Sequence, residues 1–283
     1  MSAESPNQDP VIFRDSGSGP VIVLIHGMSA KIEHWLGFDQ LLAQNFRVIT
    51  FDHRGFGEAR RPGTWSMSIE QMAGDVIEIL DRLQIEKAHL FGISMGGMVA
   101  MACGIHHPHR CASLTIVNSS LGSQLNRLSR QRVAQLTGTL RKLMEPSYKV
   151  GLWERRVGLF LGHNPPQGFR SELSKTLLQL NQDQKNSLAN RLKQYLAISR
   201  FRCEHRLKDI SVPTLIIKST HDHIVPSSHS DYLARMIPGA QLAVIEKAGH
   251  VPMFDRAEEL RDIVVGWLNK QPRPAQTMPL RKS

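Results

Sequence analysis

Apolar residues follow two rhythms along this chain. Val21 to Ile25 is an unbroken apolar run, the pattern of a strand covered on both faces, and Arg47 to Phe51 repeats it after a helical stretch from Phe38 to Gln44. From Ser68 to Leu83 the period lengthens. Ile69, Met72, Val76, Ile79, Leu80 and Leu83 share one helical face, with Ser68 and Gln71 spaced as a capping box. Ala88 to Phe91 then predicts a strand, Met95 to His106 a helix, and Leu114 to Val117 another strand; a weaker strand signal at Val11 to Phe13, before a turn at Gly17 to Pro20, precedes them all. The rhythm resumes late in the chain with strand Thr214 to Lys218, helix Ser228 to Met236, strand Gln241 to Ile245 and helix Arg256 to Trp267. Strands alternating with helices predict an α/β architecture, a mostly parallel central sheet flanked by helices.

Between Gly122 and Arg206 the strand signals vanish. Leu125 to Met144 and Ser187 to Ile198 carry helical apolar faces, broken by Pro146 and by Pro165-Pro166, so an inserted helical segment is expected over 122–206. Residues 1–121 and 207–271 would then form the core, and 272–283, with three prolines and a basic tip, a disordered tail. A chain of 283 residues, 41% of them hydrophobic, can bury one large core.

Charge sharpens the distinction between the segments. The formal net charge is +10, yet the insertion alone holds 16 Lys and Arg against 5 Asp and Glu, while the remainder holds 19 against 20. Such a segment either presents solvated helix faces or draws acidic ligands toward itself. It contains no recognised nucleic-acid motif, so nucleic acid is not expected as a partner. No membrane span is expected either, since nowhere do about 18 apolar residues run together, and the polar start lacks the apolar core of a signal peptide. Cys103, Cys111 and Cys203, odd in number and irregularly spaced, read as free thiols of a cytoplasmic protein.

The chemistry centres on Gly92-Ile93-Ser94-Met95-Gly96, a G-x-S-x-G run between a predicted strand and a predicted helix. In that context the serine occupies a sharp turn at a helix N-terminus, where N–H groups favour developing negative charge, and the flanking glycines let neighbouring chains approach. A serine hydroxyl is a poor nucleophile without a base, and thirteen histidines compete for that role. His221-Asp222-His223 superficially resembles a metal site, but adjacent side chains diverge and no further ligand lies nearby; neither metal nor cofactor is expected.

Over almost its whole length the sequence resembles the α/β-hydrolase family. The resemblance rests on His26-Gly27, Asp52-His53-Arg54-Gly55-Phe56-Gly57, the Ser94 motif extended to Gly97, Asp222 with Ile224-Val225-Pro226, and Gly249-His250, in the family's order. Ala59 departs from it, standing where many relatives have serine. The resemblance implies an α/β-hydrolase fold with 122–206 as a helical lid, and a triad of Ser94, Asp222 and His250. It also implies an oxyanion hole from the backbone N–H groups of Met28 and Met95. Trp35, just after the His26-Gly27 loop, is either a pocket wall or core. The expected activity is carboxylic ester hydrolysis through an acyl-enzyme, on a small-molecule ester or an acyl group held by an acidic carrier such as acyl carrier protein or coenzyme A. Lactonase, thioesterase, C–C hydrolase and acyltransferase share this machinery, and a ligand-binding receptor is the alternative that does no chemistry.

Overall fold

A computed structural model describes residues 12–57, 59, 67–121, 157–158, 160–162, 168–182 and 188–271. Leu125 to Met144, the prolines expected to break the insertion, and the expected tail 272–283 lie outside them.

Seven strands form one sheet: β1 (Phe13–Gly17), β2 (Val21–Ile25), β3 (Arg47–Phe51), β4 (Ala88–Ile93), β5 (Cys111–Val117), β6 (Thr214–Ser219) and β7 (Gln241–Ile245). Their spatial order is β1-β3-β2-β4-β5-β6-β7, parallel except for the antiparallel edge strand β1. The apolar run of β2 has a simple cause. Val21, Val23 and Ile25 enter one apolar cluster and Ile22 and Leu24 another, so both faces of the strand are core.

Helices α1 (Phe38–Ala43), α2 (Ile69–Arg82) and α3 (Met95–His106) belong to the first half of the chain. Helices α4 (Phe169–Gln182) and α5 (Leu188–Arg200) lie in the sequence between β5 and β6. Then follow α6 (Ser228–Met236), the single turn α7 (Pro252–Asp255) and α8 (Ala257–Leu268). The α2 cap forms as expected: Ser68 Oγ accepts from Gln71 N, and Gln71 Oε1 accepts from Ser68 N.

One strand departs from expectation. β1 begins at Phe13 and runs through Gly17, where a turn was expected, because its backbone pairs with β3 from Phe13 opposite Phe51 to Gly17 opposite Arg47. Arg14 and Asp15 are exposed, as an edge strand permits, and that polarity hid the strand.

The order also fixes where chemistry can occur. The chain leaves β2 toward β3 on one side and later returns to lay β4 on the other, so a crevice opens beyond the C-terminal ends of β2 and β4. The loops bearing Gly27 and Ser94 emerge there, and β5, β6 and β7 send theirs to the same rim.

The tightest packing in this region is between glycine backbones. A Cβ on Gly96 would collide with the Ile25 carbonyl oxygen, and one on Gly92 with the Gly96 carbonyl. Gly96→Ala is therefore expected to lower stability by about 1–3 kcal/mol, the usual cost of overpacking. Urea denaturation of both proteins measures it; an unchanged midpoint would contradict this packing.

Candidate active site

Ser94 sits at the N-cap of α3 with φ 55° and ψ −119°, a conformation L-residues seldom adopt. Serine at this position ordinarily caps the helix with its side chain. Here it does not, and the half-buried hydroxyl is left for other work. The turn is held by its main chain instead: Ser94 N donates to Val117 O at 2.9 Å, and Ser94 O accepts from Gly97 N at 3.0 Å and from Ser119 Oγ at 2.7 Å.

Asp222 and His250 are in direct contact, Nδ1 to Oδ2 at 2.7 Å, with side chains 1% and 5% exposed. The other Asp222 oxygen accepts from Ile224 N at 2.8 Å and Val225 N at 2.9 Å, so the carboxylate is pinned on both sides. A carboxylate can only accept here, so Nδ1 is the donor in this contact. Among the described residues Ser94 Oγ makes no hydrogen bond to His250. The structure thus joins two of the three expected residues and leaves the third on a neighbouring loop.

Asn118 and Ser119 bring those loops together, and sequence reasoning missed both. While Ser119 holds Ser94 O, the adjacent Asn118 donates from Nδ2 to His250 O at 2.9 Å, Gly249 O at 3.2 Å and Ser219 Oγ at 2.8 Å, and accepts from Ser219 N at 2.9 Å. Asn118 is buried, with a positive φ of 45°. An amide can serve so many partners because it donates and accepts. The available signal was a polar pair immediately after an apolar strand.

The segment before α4 closes over the histidine loop. Val251 N donates to Phe160 O at 3.2 Å, the Phe160 ring stands 6.4 Å from the His250 ring, and a Cβ on Gly249 would strike the backbone of Phe160 and Leu161. Gly162 N donates to Asp255 Oδ2 at 2.6 Å. Burial pushes the Asp255 carboxyl above the usual carboxylate range, an effect that hydrogen bonds from backbone N–H groups oppose.

On the opposite side, α5 lies against the loops after β2 and β3. Gln194 Oε1 accepts from Ser29 N at 2.8 Å, and Asn190 Nδ2 donates to Gly55 O at 2.8 Å. Beneath them, Trp35 is fully buried, stacked on His26 at 4.4 Å and packed against Phe38 and Phe91; it belongs to the core. His26 and His53 are both pushed to low pKa, chiefly by burial, and His53 Nε2 donates to His26 O at 3.1 Å. The Asp52-to-Gly57 motif is structural in the same way. Asp52 Oδ1 accepts from Ile32 N at 2.9 Å, and Arg54 grips Asp75 through two nitrogens at 2.7 and 2.5 Å. Met95 is buried at the start of α3, and Met28 packs against the larger apolar cluster. Among the described residues no three His, Cys, Asp or Glu side chains gather as a metal would require. No described helix is long and apolar enough to cross a membrane.

A parallel sheet whose strand-to-helix turn carries a serine, beside a carboxylate and histidine pair, defines a hydrolytic enzyme class. The chain belongs to the α/β-hydrolase fold family, whose model matches residues 20–257. It is 31% identical over 266 residues to RutD of Azorhizobium caulinodans, provisionally named a carbamate hydrolase, covering 89% of this chain and 92% of that protein. It is 27% identical over 253 residues to 3-oxoadipate enol-lactonase 1 of Acinetobacter baylyi, covering 89% of each. A solved structure of a thermophilic esterase from Thermogutta terrifontis aligns with a TM-score of 0.72 at 28% identity, over 92% of this chain and 93% of that one.

Asn118→Ala should cost about 2–4 kcal/mol, because it strands several buried partners at once, whereas Ser119→Ala should cost about 1 kcal/mol. Chemical denaturation checks the ranking; equal costs would show that Asn118 does not organise the rim.

Proposed function

We propose that this protein is a serine hydrolase that cleaves carboxylic esters through an acyl-enzyme. The observation that carries the reading is the 2.7 Å contact from the His250 ring to a doubly pinned Asp222, beside a serine whose hydroxyl is not spent on its helix.

In this mechanism Ser94 Oγ approaches His250 Nε2 when substrate binds. As Oγ attacks the ester carbonyl, its proton passes to Nε2, and Asp222 stabilises the imidazolium without taking the proton. The carbonyl oxygen, now carrying the negative charge, is received by the backbone N–H groups of Met95 and Met28. Collapse of the tetrahedral adduct breaks the bond to the alcohol, which leaves with the proton from Nε2. Water then attacks the acyl-Ser94 ester with His250 again as base, releasing the acid and restoring the hydroxyl. A lactone would follow the same steps with its alcohol still tethered. The similarity to an enol-lactonase supports that second reading.

Helices α4 and α5, with the segment around Phe160, are read as part of a lid over this site. The basic excess of 122–206 supports an acyl group presented on an acidic carrier, since a cationic mouth raises the local concentration of anionic ligands. Three buried free cysteines accord with a cytoplasmic location.

A panel of p-nitrophenyl esters of increasing acyl length tests the chemistry. Ser94→Ala should lose about 10³-fold or more in kcat; retention of activity would reject the mechanism, and no turnover by wild type would favour a receptor. Raising salt should increase KM for a carrier-linked substrate and leave that for a neutral ester unchanged. Equal behaviour of the two substrates would remove the carrier.

A further inference from the structure

Gln194 is wholly buried on α5, and only half of its amide is used: Oε1 accepts from Ser29 N, while Nε2 has no partner among the described residues. Burying an amide with an unsatisfied donor costs about 1–3 kcal/mol, so packing alone would favour an apolar residue here. The helical spacing is informative. Asn190, Gln194 and Ala197 lie on one face of α5; Ala197 enters the apolar core, whereas Asn190 and Gln194 each hold the backbone of a rim loop.

The bond that Gln194 accepts lies in a sensitive place. Ser29 has a φ of 63°, in the sparsely populated left-handed region, so its loop gains from an external restraint. Its N–H belongs to the planar peptide joining Met28 to Ser29. Fixing that plane restricts Met28, and so the direction of the Met28 N–H one peptide earlier. We propose that Gln194 is a positioning residue for the oxyanion hole: by gripping Ser29 it aims the Met28 N–H, so that α5 must be seated for acyl transfer to be fast. The inference rests on the serine hydrolase reading and deepens it.

Two variants test it. Gln194→Met keeps the length of the side chain and removes the acceptor. It should lower kcat for a neutral p-nitrophenyl ester by about 10–100-fold, with KM little changed. It should also slow labelling of Ser94 by an uncharged fluorophosphonate by a similar factor, because phosphonylation also builds negative charge on an oxygen in the hole. Gln194→Glu, when protonated, still offers a carbonyl to Ser29. Its kcat relative to wild type should fall as pH rises and the carboxyl ionises beside the developing oxyanion, a trend that a purely structural role would not produce. Folded Gln194→Met with kcat and labelling within twofold of wild type would overturn the inference, as would a rise in KM alone, which would make the amide a substrate contact. If Gln194→Met fails to fold by circular dichroism, the Gln194→Glu ratio decides, and a flat pH dependence overturns the proposal. Failure of wild type to label at Ser94 sinks the hydrolase reading itself; normal labelling in wild type and both variants sinks only the role of Gln194.

Discussion

The rim of this sheet is organised by one buried amide. Asn118 joins the end of β5 to the end of β6 and to the loop that carries His250, while its neighbour Ser119 holds the Ser94 turn. Three loops far apart in sequence are thereby brought within the reach of two adjacent side chains. Without such a tether each loop would be free to choose among backbone conformations costing little in free energy, and ordering them would fall to the substrate. The sheet supplies the platform, and the amide decides how its loops face one another.

Much of the platform was legible. The runs Val21 to Ile25 and Arg47 to Phe51 could be read because both faces of their strands are buried, which leaves no polar interruption. The capping box of α2 and the boundaries of α3 were readable because caps and strand-to-helix turns are local in sequence. β1 was misplaced because an edge strand is specified by its partner, not by its own alternation. Helix α4 (Phe169 to Gln182) was not singled out within the insertion, although its apolar face is as well segregated as that of α5.

For the site, the Ser94 turn, Asp222 and His250 follow from short motifs, and the family resemblance ordered them. The supporting residues do not. Nothing local marks Asn118 as the partner of His250, 132 positions away, or Gln194 as the partner of Ser29. Trp35 could not be assigned between pocket and core until its stack on His26 and contacts with Phe38 and Phe91 were seen. Chemistry is written in short motifs, whereas orientation depends on contacts distant in sequence.

The crossing at Gly249 has a consequence of its own. The chain near Phe160 runs so close to the histidine loop that neither Gly249 nor Gly162 has room for a side chain, and a main-chain hydrogen bond plus the Asp255 clasp rivet the two strands of backbone together. The chain at Phe160 and the loop that holds the imidazole against its carboxylate are therefore mechanically one piece: neither can shift without breaking these contacts or carrying the other with it.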